Sequence, residues 1–106
     1  MRIMSRIKIR QKNVIGPTLT KLRTGMNLSQ EELAAKCQRL GWDIARDTIA
    51  KIEGRNRLVA DYEILLLASA MQVNPTAFFP FKVNLRHLMP ADGIRKQEAD
   101  APTNKA

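Results

Sequence analysis

Cysteine and histidine are nearly missing from this chain, which has one of each in 106 residues. Cys37 alone cannot close an internal disulfide, and one thiol with one imidazole supplies no set of soft metal ligands. A disulfide scaffold and a structural zinc are therefore both excluded. No apolar run reaches the roughly 18 residues of a membrane span, and the N-terminus lacks the uninterrupted apolar core of a secretory signal. A cytoplasmic protein without membrane contact is expected. Missing too are a nucleotide-binding glycine loop, paired carboxylates on a common face, and a nucleophile spaced from a histidine partner. No catalytic residue and no cofactor is expected, and the chain reads as a protein that is not an enzyme.

Acid is absent from residues 1 to 30, which carry Arg2, Arg6, Lys8, Arg10, Lys12, Lys21 and Arg23 and no Asp or Glu. The whole chain has a net charge of +8, and a surface this basic attracts polyanions, nucleic acid foremost. The N-terminal asymmetry fits a basic arm and equally a terminus kept in solution by its charge. With 44% apolar residues and the length of one domain, a single compact core is expected.

The pattern turns helical at Val14. Ile15, Leu19 and Leu22 share one face, and Pro17 is tolerated only in a first turn, so a first helix is expected from about Val14 to Thr24, with Gly25 and Asn27 as stop and turn. Ser29 followed by Glu32 is a capping box, and Leu28 with Leu33 is the matching hydrophobic staple; a second helix opens at Ser29 and buries Leu33, Cys37 and Leu40 before Gly41. A short third helix from about Arg46 to Glu53 turns Ile49 and Ile52 inward and ends at Gly54. Its N-cap is Ala45, which accepts no capping bond and costs about 1 kcal/mol against Ser or Asp, partly offset by Asp47 in the first turn. Asp61 reads as the cap of a strongly apolar, central fourth helix carrying Ile64, Leu65, Leu67, Ala68 and Met71. Asn74 and Pro75 open a short fifth helix presenting Ala77, Phe78 and Phe79, closed by Pro80. The expected fold is all-α. It comprises a basic arm over 1–13, a compact five-helix domain over 14–80, and an extension over 81–106 that is largely disordered after about residue 90.

The second helix, its connection at glycine and the short third helix form a helix-turn-helix, whose latter helix can enter a DNA major groove about 12 Å wide. Arg46, Asp47, Thr48 and Lys51 are then the outward side chains able to reach base edges. Three segments, "LSQEELAAKC" at 28–37, "DTIAKIEGRNR" at 47–57 and "EILLLASAMQVNPTAFF" at 63–79, resemble the Xre family of phage-repressor-like (Cro/CI-type) helix-turn-helix transcriptional regulators over about Val14 to Phe79. The resemblance implies that Arg46, Asp47 and Lys51 read bases and that Gln30 contacts phosphate, as do Arg55, Asn56 and Arg57 in the loop beyond. It also implies that Arg23 and Glu53 form a structural ion pair orienting the reading head. Arg and Lys can take guanine acceptors and Asp the cytosine amine, which points to a half-site containing G·C.

The chain departs from the family pattern in a longer Cys37-to-Ala45 connection, read as one extra turn of the second helix in "QRLGWDI". It departs also in alanine at position 45 and in the basic extension before Val14. Trp42 is expected to pack over the junction of the second and third helices. His87 is expected at the surface. Phe78, Phe79 and Phe81 should complete the core, or else contribute to a dimer interface. The leading functional expectation is a homodimeric regulator, a repressor, that binds double-stranded DNA at a pseudo-palindromic operator. The alternatives are an antitoxin or a restriction-modification controller that regulates its own operon and holds a protein partner through the C-terminal extension, and an interaction domain that does not bind DNA.

Overall fold

A computed structural model describes residues 11–80, 82 and 85–87. The chain divides into two units, Lys12–Phe81 on the one hand and Met1–Gln11 with Lys82–Ala106 on the other. In the second unit the described structure is a 3-10 turn over Leu85–His87. The basic stretch 1–10, Phe81, and the extension beyond residue 87 lie outside the described residues.

The first unit holds four helices, α1 (Gly16–Gly25), α2 (Gln30–Arg39), α3 (Arg46–Glu53) and α4 (Asp61–Met71), then a 3-10 turn over Pro75–Phe78; no strand occurs among the described residues. Ile15, Leu19, Leu33, Cys37, Ile49, Ile52, Leu67 and Phe78 are sealed from solvent and make one core. α2 packs on α3 and α4, and α1 on α3. Trp42 is half-buried against this core.

The helix starts follow the side chains that can satisfy free amides. Ser29 Oγ accepts from the Glu32 amide at 2.9 Å while Glu32 Oε1 accepts from the Ser29 amide at 2.7 Å, the full capping box. α4 opens one residue earlier than its acidic signal suggests. Its cap is Ala60, whose amide donates to Glu63 Oε1 at 3.0 Å, and Asp61 is already the first helical residue. α1 begins at Gly16 and not at Val14, its first amide bound by Asn13 Oδ1 at 2.8 Å.

All four helices end in the same way. Past each helix one amide returns to the carbonyl five back, as in Leu28 to Arg23, Trp42 to Cys37, Asn56 to Lys51 and Val73 to Ala68. The residue just before that amide sits in the left-handed region. Only one of those residues is glycine, Gly41 at φ 99°; the others are Asn27, Arg55 and Gln72, at 59°, 61° and 58°. Gly25 and Gly54 stand near ends without taking that role, since Gly54 has φ −82°.

Further differences from expectation lie at the end of α2, where Leu40 is 45% exposed and not in the core, and at the fifth helix. The extra turn of the second helix does not form, because Gly41 turns the chain after Leu40; residues 40–45 make a connection braced by Gln38 Nε2 donating to the Ile44 carbonyl at 2.6 Å. The fifth helix is a single 3-10 turn. Pro80 has no amide to extend it and holds Phe79 extended at φ −90°, ψ 134°. Phe78 is buried by this turn and Phe79 is left 48% exposed. α4 is less uniformly central than its composition suggests: Leu67, Ala68, Ala70 and Met71 are buried, whereas Tyr62 and Leu65 face solvent.

Candidate nucleic-acid interface

α3 has two unlike faces. Ile49 and Ile52 are 0% exposed, and Ile44 just before the helix is buried with them. On the other side Arg46, Asp47 and Lys51 stand in solvent, with Thr48 half-buried among them. Helical spacing places Asp47 and Lys51 four apart and Thr48 and Lys51 three apart, so they line one surface. Arg46 Nη2 lies 3.3 Å from Asp47 Oδ1, an exposed pair in which both groups remain open to exchange with another partner. The Ala45 cap supplies no side-chain bond to the first turn of α3.

Arg23 and Glu53 meet at the far end of α3. Arg23 Nε reaches Glu53 Oε2 at 2.6 Å and Arg23 Nη2 reaches Glu53 Oε1 at 3.1 Å, a two-pronged pair, while Arg23 Nη1 donates to the Leu28 carbonyl at 2.7 Å. One guanidinium thus ties α1, the turn before α2, and the end of α3. The hydrogen bond to Glu53 holds the Arg23 guanidinium charged, its pKa raised above the ordinary value. Gln30, half-buried at the start of α2, donates through Nε2 to Glu53 Oε1 at 2.9 Å and accepts at Oε1 from Arg46 Nη1 at 3.2 Å.

Beyond α3, Arg55 is half-buried with its backbone left-handed, and Asn56 is exposed beside it. Arg57 turns the other way. Its Nη1 and Nη2 grip the two oxygens of buried Glu63 at 2.9 and 3.1 Å, and Nη1 also donates to the Leu58 carbonyl. The Arg57 hydrogen bonds hold the Glu63 carboxyl below its ordinary pKa, with the Ala60 amide adding to them against the opposing effect of burial. Of the four residues assigned to phosphate by resemblance, Gln30 and Arg57 therefore each hold at least two intramolecular bonds.

Several residues that position this face carry weak signals in the sequence. Asn13 is buried, and its Nδ2 donates to the carbonyls of Ile52 at 3.1 Å and Arg57 at 2.9 Å, while the Lys12 amide donates to the Arg55 carbonyl at 3.1 Å. Lys12 and Asn13 are thus bonded to the end of α3 and its loop. Gly16 is a place of close approach: a Cβ there would fall 2.6 Å from the Ile52 carbonyl oxygen and 2.8 Å from that of Glu53. An Asn three residues before a helical Gly, and a Glu three residues after Ala60, are the local capping patterns that could have exposed Asn13 and Glu63.

A capped helix, a six-residue connection and a shorter helix with one apolar and one polar face define the helix-turn-helix class. No protein-family model matches the chain, and no curated protein matches it. Among solved structures, the restriction-modification controller protein C.AhdI from Aeromonas hydrophila, known from a high-resolution crystal structure, is similar. The two are 34% identical with a TM-score of 0.55, over 61% of this chain and 87% of that one. This chain belongs to the family of helix-turn-helix proteins that includes that controller.

Proposed function

We propose that the protein is a sequence-specific double-stranded DNA-binding regulator, a repressor, that sets α3 in the major groove. The observation that carries this reading is the polar face of α3, where Arg46, Asp47, Thr48 and Lys51 stand together over a helix whose other face is sealed. Arg46 and Lys51 suit the acceptors of guanine. Asp47 suits the cytosine amine and repels a step that offers only acceptors, so it adds discrimination more than affinity. Arg55 and Asn56 flank this face and suit phosphate, as does the open edge of Gln30. Arg57, bonded to Glu63, holds the loop in place. The assignment involves no catalytic step and no cofactor.

One eight-residue helix touches few base pairs, so useful specificity calls for a homodimer on an inverted repeat with half-sites about 34 Å apart. A second reading is favoured by the likeness to a restriction-modification controller, a regulator of such an operon in a bacterial or phage-derived cytoplasm. An antitoxin with a protein partner at the C-terminal extension is the variant of that reading in which a partner co-purifies. The basic stretch before Lys12 is assigned to backbone or minor groove, and its deletion over residues 1–10 should lower both affinity and salt slope.

The test is selection of binding sites from a random duplex pool at one stated salt concentration, with an Arg46→Ala, Lys51→Ala double variant alongside. Enrichment of an inverted repeat by the wild type, lost in the variant, supports the dimeric reader. If the wild type enriches no sequence, the assignment fails and a protein partner becomes the better reading.

A further inference from the structure

Two residues ahead of α1 are bonded to the end of α3 and the loop beyond it. Asn13 is 8% exposed, and its amide group works in two directions. Oδ1 accepts from the Gly16 amide at 2.8 Å, while Nδ2 donates to the Ile52 carbonyl at 3.1 Å and to the Arg57 carbonyl at 2.9 Å. Residues 53–56 are thus an arc pinned at both ends by one side chain. Inside that arc the Arg55 carbonyl accepts from the Lys12 amide at 3.1 Å. Arg55 rests on the same seat: a Cβ at Gly16 would fall 2.9 Å from Arg55 Cγ, so the arginine stem crosses the start of α1 where no side chain stands. The Lys12 side chain is exposed, and among the described residues it has no carboxylate partner, since Glu53 is taken by Arg23 and Gln30 and Glu63 by Arg57.

We propose that Lys12 is a further phosphate contact, held in register with Arg55 and Asn56 by the positioning residue Asn13. This rests on the reading of α3 as the groove helix and of its loop as a phosphate contact. A DNA strand that meets Arg55 and Asn56 passes the residue whose backbone is bonded to Arg55, and the flexible lysine stem can set its point charge on that strand. A fixed backbone under a flexible stem suits a phosphate, which asks for charge in the right place and little direction. Such a contact positions the protein and carries no sequence information, so Lys12 strengthens binding to every duplex alike. Its contribution appears in the salt dependence, because each phosphate neutralised releases counterions.

The test titrates the full chain with the selected site and with an unrelated duplex over a series of salt concentrations. Lys12→Gln should make the slope of log affinity against log salt shallower by about 0.9 for each protomer bound, equally on both duplexes. Arg55→Gln shows what the loss of one loop contact does. Lys36→Gln, at a lysine beside Met71 and Gln72 at the end of α4, shows the effect of lost net charge alone. Asn13→Ser keeps an oxygen for the Gly16 amide and is too short for the two carbonyls. It should flatten the slope at least as far as Lys12→Gln does, and adding Lys12→Gln to it should then change little. Asn13→Asp, of the same shape without the amino group, serves if the serine variant loses its fold. A change in Lys12→Gln no larger than in Lys36→Gln, with Arg55→Gln effective, overturns the proposal and leaves the reading of the loop standing. No change in either Arg55→Gln or Lys12→Gln removes the loop as a phosphate contact, and the proposal with it. A wild-type slope in a folded Asn13 variant, or full additivity with Lys12→Gln, defeats the positioning by Asn13.

Discussion

Arg23 with Glu53 and Arg46 with Asp47 are both arginine–carboxylate pairs, one at each end of α3, in opposite surroundings. The side chains of the first are 12% and 8% exposed, those of the second 53% and 75%. Where water is excluded, each charge depends on its partner, and the pair fixes the angle at which α3 leaves the core. Where water is present, attraction is screened and worth under about 1 kcal/mol, so Arg46 can exchange Asp47 for another acceptor at little cost. One helix is thus held rigidly at one end and loosely at the end proposed to meet DNA.

The largest expected effect follows from breaking the buried pair. Glu53→Ala leaves Arg23 charged and nearly enclosed and also removes the anchor of Gln30. It should lower the free energy of unfolding by roughly 3 kcal/mol in urea titration. Asp47→Ala, by contrast, should change it by no more than about 0.5 kcal/mol. Equal losses in the two variants would dissolve the comparison.

A third pair, Arg57 with Glu63, lies between the extremes, with side chains 32% and 10% exposed. The folded state holds the Glu63 carboxyl below its ordinary 4.5, so the pair contributes stability that is complete above that value and is lost as pH falls through the lower folded one. Acid titration of the wild type should show this loss below about pH 4.5, on the order of 1 kcal/mol after solvent screening at Arg57. Glu63→Gln should be less stable at neutral pH and lose less on acidification. A parallel acid limb in the variant assigns the loss to other carboxylates.

The smallest effect is expected at Arg55, which holds a left-handed backbone that glycine adopts without strain. Arg55→Gly should raise stability by about 0.5 kcal/mol while weakening DNA binding with a smaller salt slope. If both stability and binding fall, the side chain's intramolecular contact outweighs the backbone strain.

Much of the fold was legible because its signals are local. The capping box at Ser29 and Glu32, the staple of Leu28 and Leu33, and the inward spacing of Ile49 and Ile52 need only neighbours within one or two turns. α3 accordingly falls where its periodicity puts it. The errors arise where an ending depends on backbone conformation. Gly25 and Gly54 suggested stops, yet the left-handed positions fall at Asn27, the expected turn residue, and at Arg55; Gln72 takes that position without a glycine near it, and Gly41 closes α2 too early for an added turn. The exposure of Arg46, Asp47 and Lys51 follows from the same 3.6-residue period as the burial of Ile49 and Ile52. The bonds of Asn13 to the end of α3 and its loop, 39 and 44 residues on, could not be read from spacing. Nor could the route from Glu53 through Gln30 to Arg46, which joins side chains from two helices.

Cys37 is 0% exposed, and burial pushes its thiol up to about 11, so in the folded domain it neither meets an alkylating reagent nor ionises to attack one near neutrality. Because it is the chain's single cysteine, every alkylation event records one opening of the packing between α2 and the helices that cover it. A ligand that binds only the closed form slows this clock by the factor with which it depletes the open one. The domain therefore carries an internal stopwatch for binding, readable by mass spectrometry on the unlabelled wild type and independent of where the ligand sits.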